Sequence, residues 1–157
     1  MQTSIRLVCA AMLASAALDA ATIAYWRFEE GAGTVIHDSS GNGNNGTLSG
    51  GAVFSTIVPW ATVPLTGAPD VYSLQLNGTS AAGSVPDSPT LRPGSAFTVE
   101  AMINANNQSL GWVILGKQFH NGFTNSFQLE ITDGKLRFQL TNTSNRDSFV
   151  WISAPSA

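Results

Sequence analysis

The chain has 157 residues, a net charge of −3, 43% apolar residues and only 11% charged ones, against a globular norm of about 25% charged. That length suits one domain, and its few, scattered Lys and Arg residues leave no basic patch for nucleic acid or anionic lipid. One Cys excludes a disulfide scaffold, while abundant Gly, Pro, Ser, Thr and Asn point to an all-β extracellular module.

Residues 1–20 read as a secretory signal. Arg6 gives a short positive region, residues 7–14 are apolar, and Ala14-Ser15-Ala16 and Leu18-Asp19-Ala20 are small-residue cleavage sites. The apolar run stops before Asp19, short of the ~20 residues a membrane span needs. Cys9 lies inside that run, so the expected mature chain, 21–157, has neither a thiol nor a membrane span.

Residues 23–29 alternate, with Trp26 and Phe28 on one face and Arg27 and Glu29 on the other, which predicts a first strand. Residues 31–51 hold seven glycines, and 38–46 are nearly all turn formers. A loop of that length points to a function or a ligand. A second strand is predicted at 47–54. Residues 55–72, with Pro59, Pro64 and Pro69, read as an extended surface excursion. Strands follow at 72–76 and 81–85, joined by a tight connection at 77–80. Alternation of Phe97, Val99, Ala101 and Ile103 predicts another at 97–104, and 112–115 is short and apolar.

The clearest local signal is a hairpin. Two alternating runs, 126–132 and 135–141, flank Asp133-Gly134, the pair that favours a type I′ turn. That register sets Ile131 opposite Leu136, Leu129 opposite Phe138 and Phe127 opposite Leu140 on one face, with Glu130 opposite Arg137 on the other. A last strand begins near Phe149. Together these elements predict a single, mainly antiparallel β domain.

The residues so assembled resemble a known family. Residues 25–31 (YWRFEEG), 38–48 (DSSGNGNNGTL), 50–52 (GGA), Leu76-Asn77-Gly78, 85–91 (VPDSPTL), 97–101 (FTVEA) and 134–138 (GKLRF) follow the order of a LamG-like jelly-roll domain, of the concanavalin A-like lectin/glucanase superfamily. The resemblance implies two antiparallel sheets packed face to face, with rim loops binding calcium or glycans. Met102 stands where the family usually has Trp. The family's later strands are not evident after the hairpin, so an antiparallel jelly-roll sandwich incomplete at its C-terminus is expected.

The oxygen-rich 38–46 loop is the expected ligand site. Asp38-x-Ser40-x-Asn42 echoes the first half of an EF-hand, but position twelve is Ser49 rather than Glu and no helices flank the loop. Asp38, Ser40, Asn42 and Asn44 are therefore candidate calcium ligands of a rim loop. The competing reading is that they hold turns through Asx hydrogen bonds. Catalysis is not expected. A glycosidase needs two carboxylates about 5–9.5 Å apart across one bond. The sequence has no Glu-x-Asp-x-x-Glu run; Glu130 and Asp133 straddle the hairpin bend with Glu130 already opposite Arg137, Glu29 and Glu30 are adjacent, and Glu100 is single. His37 and His120 have no identifiable partner. Sugar sites stack pyranose rings on aromatic side chains, with amides reading hydroxyls. The candidates are Trp60, in its Pro-rich excursion, Trp112, and the His120 and Asn121 loop. Trp26 reads as core. The sequence thus predicts a secreted or cell-envelope, non-catalytic recognition module whose partner is a glycan or an extracellular protein. A structural or protein-interaction module without a sugar site, or a piece of a larger surface protein or glycoside hydrolase, is the alternative.

Overall fold

The computed structural model describes residues 21–63, 67–92, 96–105, 111–117, 126–141 and 148–151. The fold is all-β and antiparallel, of the sandwich type. Among the described residues the only helical element is a single 3₁₀ turn, Pro89–Leu91, and no sheet closes into a barrel. The strands are β1 (Val35–Ile36), β2 (Gly46–Ser49), β3 (Val53–Ser55), β4 (Ser73–Gln75), β5 (Ala82–Ser84), β6 (Trp112–Lys117), β7 (Ser126–Thr132), β8 (Lys135–Thr141) and β9 (Ser148–Trp151). They form three ladders, ordered β1-β2-β5, β3-β4 and β6-β7-β8-β9, where the sequence predicted two sheets.

The first two ladders share a core. Along β2 the burial alternates, with Gly46 and Leu48 inward and Thr47 and Ser49 outward. Leu48 joins Ile36 and Ala52, and Trp26, Phe28, Phe54, Leu74 and Ala81 pack against them. The predicted strand at 47–54 is split in two. Gly50 and Gly51 both have positive φ, +62° and +86°, and turn the chain a corner between β2 and β3. The predicted strand at 23–29 is reduced to one bridge, Trp26 to Asp38. Phe28 has φ of +61°, which breaks the extended alternation, yet its ring still reaches the core with Trp26.

The hairpin has the predicted register throughout, Phe127 to Leu140, Leu129 to Phe138, Glu130 to Arg137 and Ile131 to Leu136. Asp133 and Gly134 both have positive φ, +52° and +71°, as a type I′ turn requires. Glu130 is more deeply buried than a surface pair, at 7% exposure. Its carboxylate meets Arg137 Nε at 2.6 Å, accepts from Thr132 Oγ1 at 3.2 Å and also accepts from Gln128 Nε2. A carboxylate with three donors tolerates such burial.

Residues 97–104 form no ladder. Their alternation survives at Phe97 and Val99, which are half-buried, and is lost at Ala101 and Ile103, which are exposed. Phe97 lies over the apolar face of the hairpin, 5.3 Å from the Phe127 ring and 6.3 Å from that of Phe138. Phe97→Ala should therefore lower stability by about 2 kcal/mol, a half-buried share of the usual aromatic truncation, measured by urea unfolding at constant m-value.

Candidate functional site

The 38–46 loop folds around one carboxylate. Asp38 Oδ1 accepts the backbone N–H of Tyr25 and of Ser40, each at 2.9 Å. Its Oδ2 accepts the Ser40 hydroxyl at 2.8 Å and the Asn44 N–H at 2.9 Å. Partial burial pushes this carboxyl up, but the hydrogen bonds from Tyr25, Ser40 and Asn44 outweigh it and hold it down at about 2. Asn44, only 4% exposed, is the second hub. Its side-chain amide donates to Ile23 O at 3.0 Å, and its Oδ1 accepts the hydroxyls of Ser88 at 2.7 Å and Thr90 at 3.0 Å. Trp26 Nε1 donates to its backbone carbonyl at 2.7 Å. The Asn42 amide donates to Thr22 O at 3.0 Å and Ile23 O at 2.9 Å.

The four residues with calcium-like spacing are thus brought together, but with hydrogen-bond donors converging on the one carboxylate. Calcium needs six to eight oxygens turned toward a centre. Here both Asp38 oxygens carry two donors each, the Asn44 oxygen carries two hydroxyls, and the Asn42 amide nitrogen faces two carbonyls. As arranged, these side chains do not fit a cation. Among the described residues no three His, Cys, Asp or Glu side chains gather as a metal group.

Trp60 stands elsewhere. It is 52% exposed, in an excursion tied back on itself by Asp70 N–H to Ala61 O at 3.2 Å, a bridge from Thr62 to Pro69, and Val63 N–H to Ala68 O at 2.8 Å. Val63 is buried and anchors the loop. Ser73 Oγ donates to Ile57 O at 2.7 Å, fixing the entry. Ile57, at 70% exposure, and Val71 are exposed apolar neighbours in the same segment. The excursion is docked on residues 27–31. Glu29 accepts Val71 N–H at 3.1 and 3.2 Å, Arg27 Nη2 lies 3.5 Å from Pro69 O, and the Tyr72 ring covers Gly31. Desolvation first, and then the neighbouring Glu29 carboxyl, push the Asp70 carboxyl above its ordinary value, against the opposing pull of Arg27 and of the Trp60 N–H. Sequence reasoning missed this docking, because Glu29 and Val71 lie 42 positions apart in the chain.

Trp112 is half-buried, with its ring over Gly78, so it joins the four-stranded sheet to the 77–80 turn. Asp87 makes a second join, to Arg92 Nη2 at 2.7 Å and to Lys117 at the end of β6. His37 is exposed, 3.5 Å from Glu30. His120, Asn121 and residues 1–20, where the signal is expected, lie outside the described residues. No helix among the described residues is long and apolar enough to cross a membrane.

No family model matches the chain, and no curated protein sequence matches it. Among solved structures it is similar to residues 221–444 of an S-layer domain-containing protein from Clostridium thermocellum ATCC 27405. The TM-score is 0.65 at 18% identity, over 85% of this chain and 57% of that one. At that identity the likeness is one of fold, and the chain spans little more than half of the neighbour's length.

Proposed function

We propose that the chain is an exported, cell-surface recognition module of the LamG-like kind, without catalytic activity, that presents Trp60 to a carbohydrate. The observation that carries the reading is a half-exposed tryptophan on a backbone-tied excursion that also exposes apolar Ile57 and Val71 and carries the Asp70 carboxyl. A pyranose ring stacks on such a platform while a neighbouring carboxyl reads its hydroxyls. The S-layer protein of similar fold supports the surface placement, and the motif order from 25 to 138 supports the family.

The test is a titration of the protein with a panel of soluble oligosaccharides, read by tryptophan fluorescence and calorimetry. A saturable response is expected, and Trp60→Ala should weaken it about tenfold or more, the loss of one stacked aromatic contact. Trp112→Ala should change stability and leave the affinity of the folded protein in place. Absence of any saturable response, together with capture of a protein partner, would sink the sugar reading in favour of a protein-interaction module.

A further inference from the structure

We propose that the Trp60 face selects uncharged glycans and turns acidic ones away, with Glu29 and Asp70 as the residues that set this preference. The inference rests on the carbohydrate reading above and names the ligand class of the same site.

Negative charge borders the face. Trp60 and Val71, 52% and 47% exposed, flank Ala61 and Asp70, which the bond from Asp70 N–H to Ala61 O holds together at 3.2 Å. The pairing fixes Asp70 beside Val71 along the chain and across from the neighbour of Trp60. Glu29 comes from the other segment, and its carboxyl accepts the Val71 N–H at 3.1 and 3.2 Å. An ionised carboxylate is the stronger acceptor for that N–H. A second anionic group therefore stands at the Val71 edge of the platform.

Cations do not balance these charges. In residues 27–31 and 55–72 the acidic side chains are Glu29, Glu30 and Asp70, and the basic one is Arg27. Arg27 is half-buried and turned into the seam, where its Nη2 reaches Pro69 O at 3.5 Å and its Nε is shut off from solvent. The other cations among the described residues are placed elsewhere. Arg92 and Lys117 hold Asp87, Arg137 holds Glu130, and Lys135 begins β8 at the hairpin turn. His37 faces Glu30. Recognition of a uronate or a sulfate ester uses a guanidinium or ammonium aimed at the anion. An acidic sugar stacked on Trp60 would instead meet like charge, the repulsive element by which a site discriminates between ligands. A neutral ring meets no such opposition, and the same carboxyls accept from its hydroxyls.

The test is titration of the intact protein with hexasaccharides of glucose, mannose and galactose and with their uronate counterparts, in which the C6 hydroxymethyl is a carboxylate, read by tryptophan fluorescence. Within a pair the neutral sugar should bind about fivefold or more tighter at about 10 mM salt. The gap should close toward parity at about 1 M, as the Debye length falls from about 30 Å to about 3 Å. Asp70→Asn and Glu29→Gln each keep an oxygen and remove one charge, so each should narrow the gap, and the double variant should nearly abolish it. Asp133→Asn removes the same charge at the hairpin tip and should leave the gap at its wild-type size. A uronate that binds at least as tightly as its neutral counterpart at low salt, or a gap that survives the double variant, would overturn the preference and leave Trp60 as a sugar platform. Equal narrowing by Asp133→Asn would also overturn it, since net charge rather than this face would then be the cause. Saturation by no member of the panel would strike the carbohydrate reading itself, and the preference with it.

Discussion

Replacing Asp38 with alanine should cost about 3 kcal/mol of stability and lower the melting temperature by about ten degrees. The carboxylate is the acceptor for three backbone N–H groups, of Tyr25, Ser40 and Asn44, and for the Ser40 hydroxyl. Each lost bond is worth about 1 kcal/mol net, more where the stranded donor is screened from water, and a domain of this size moves about 3–4 °C per kcal/mol. Asp38→Asn is a sharper probe than alanine. It keeps one oxygen but turns a donor toward other donors, so it should recover little of the loss. The same group sets an acid limb. Because its value falls from 3.8 to about 2 on folding, its contribution is present above 3.8 and lost between there and about 2. Thermal melts across that range should show the wild type losing stability that Asp38→Ala has already lost. Calcium and a chelator should give the same wild-type melt. An upward shift with calcium would show that the loop rearranges to turn oxygens inward and would overturn the reading of it as a hydrogen-bonded lock.

Gly50→Ala should be as damaging, about 3–4 kcal/mol, for a steric reason. A Cβ on Gly50 would lie 1.9 Å from the Ser80 carbonyl oxygen, a backbone atom that no rotamer change can clear. Its φ of +62° adds about 1 kcal/mol for any non-glycine residue. Moving the two backbones apart would also break the Asn77 Nδ2 and Ser80 Oγ bonds to Gly50 O, at 3.0 and 2.9 Å. Gly33→Ala is the control. Its φ is +82° but nothing lies within 4 Å of the added carbon, so only the conformational cost of about 1 kcal/mol should appear. Equal losses in urea unfolding for the two variants would show that close approach at Gly50 is not the cause.

The hairpin was legible in the sequence residue by residue, because its register follows from alternation and a two-residue turn. Those signals are local, and nothing distant competes with them. The strand at 23–29 was misread for the converse reason. Its alternation is real and Trp26 and Phe28 do share the core, but a positive φ at Phe28 leaves no marker in side-chain pattern. At the 38–46 loop the composition correctly named the polar residues that meet. It could not tell a cage of donors around a carboxylate from a cage of oxygens around a cation, since Asn and Ser supply both. Trp60 was legible as exposed from the prolines around it. The docking of Glu29 on Val71 was not, because it depends on where a long excursion returns.

Asn44 also has a kinetic consequence. It ties residues 23 and 26 to 88 and 90, through bonds that span up to 46 positions of chain. Such bonds form only after the intervening loop has closed, and that closure slows folding. The β7–β8 hairpin, closed by a two-residue turn, forms in about 1–10 μs. The last step to complete should therefore be the polar lock around Asn44. Substitutions there should speed unfolding more than they slow folding.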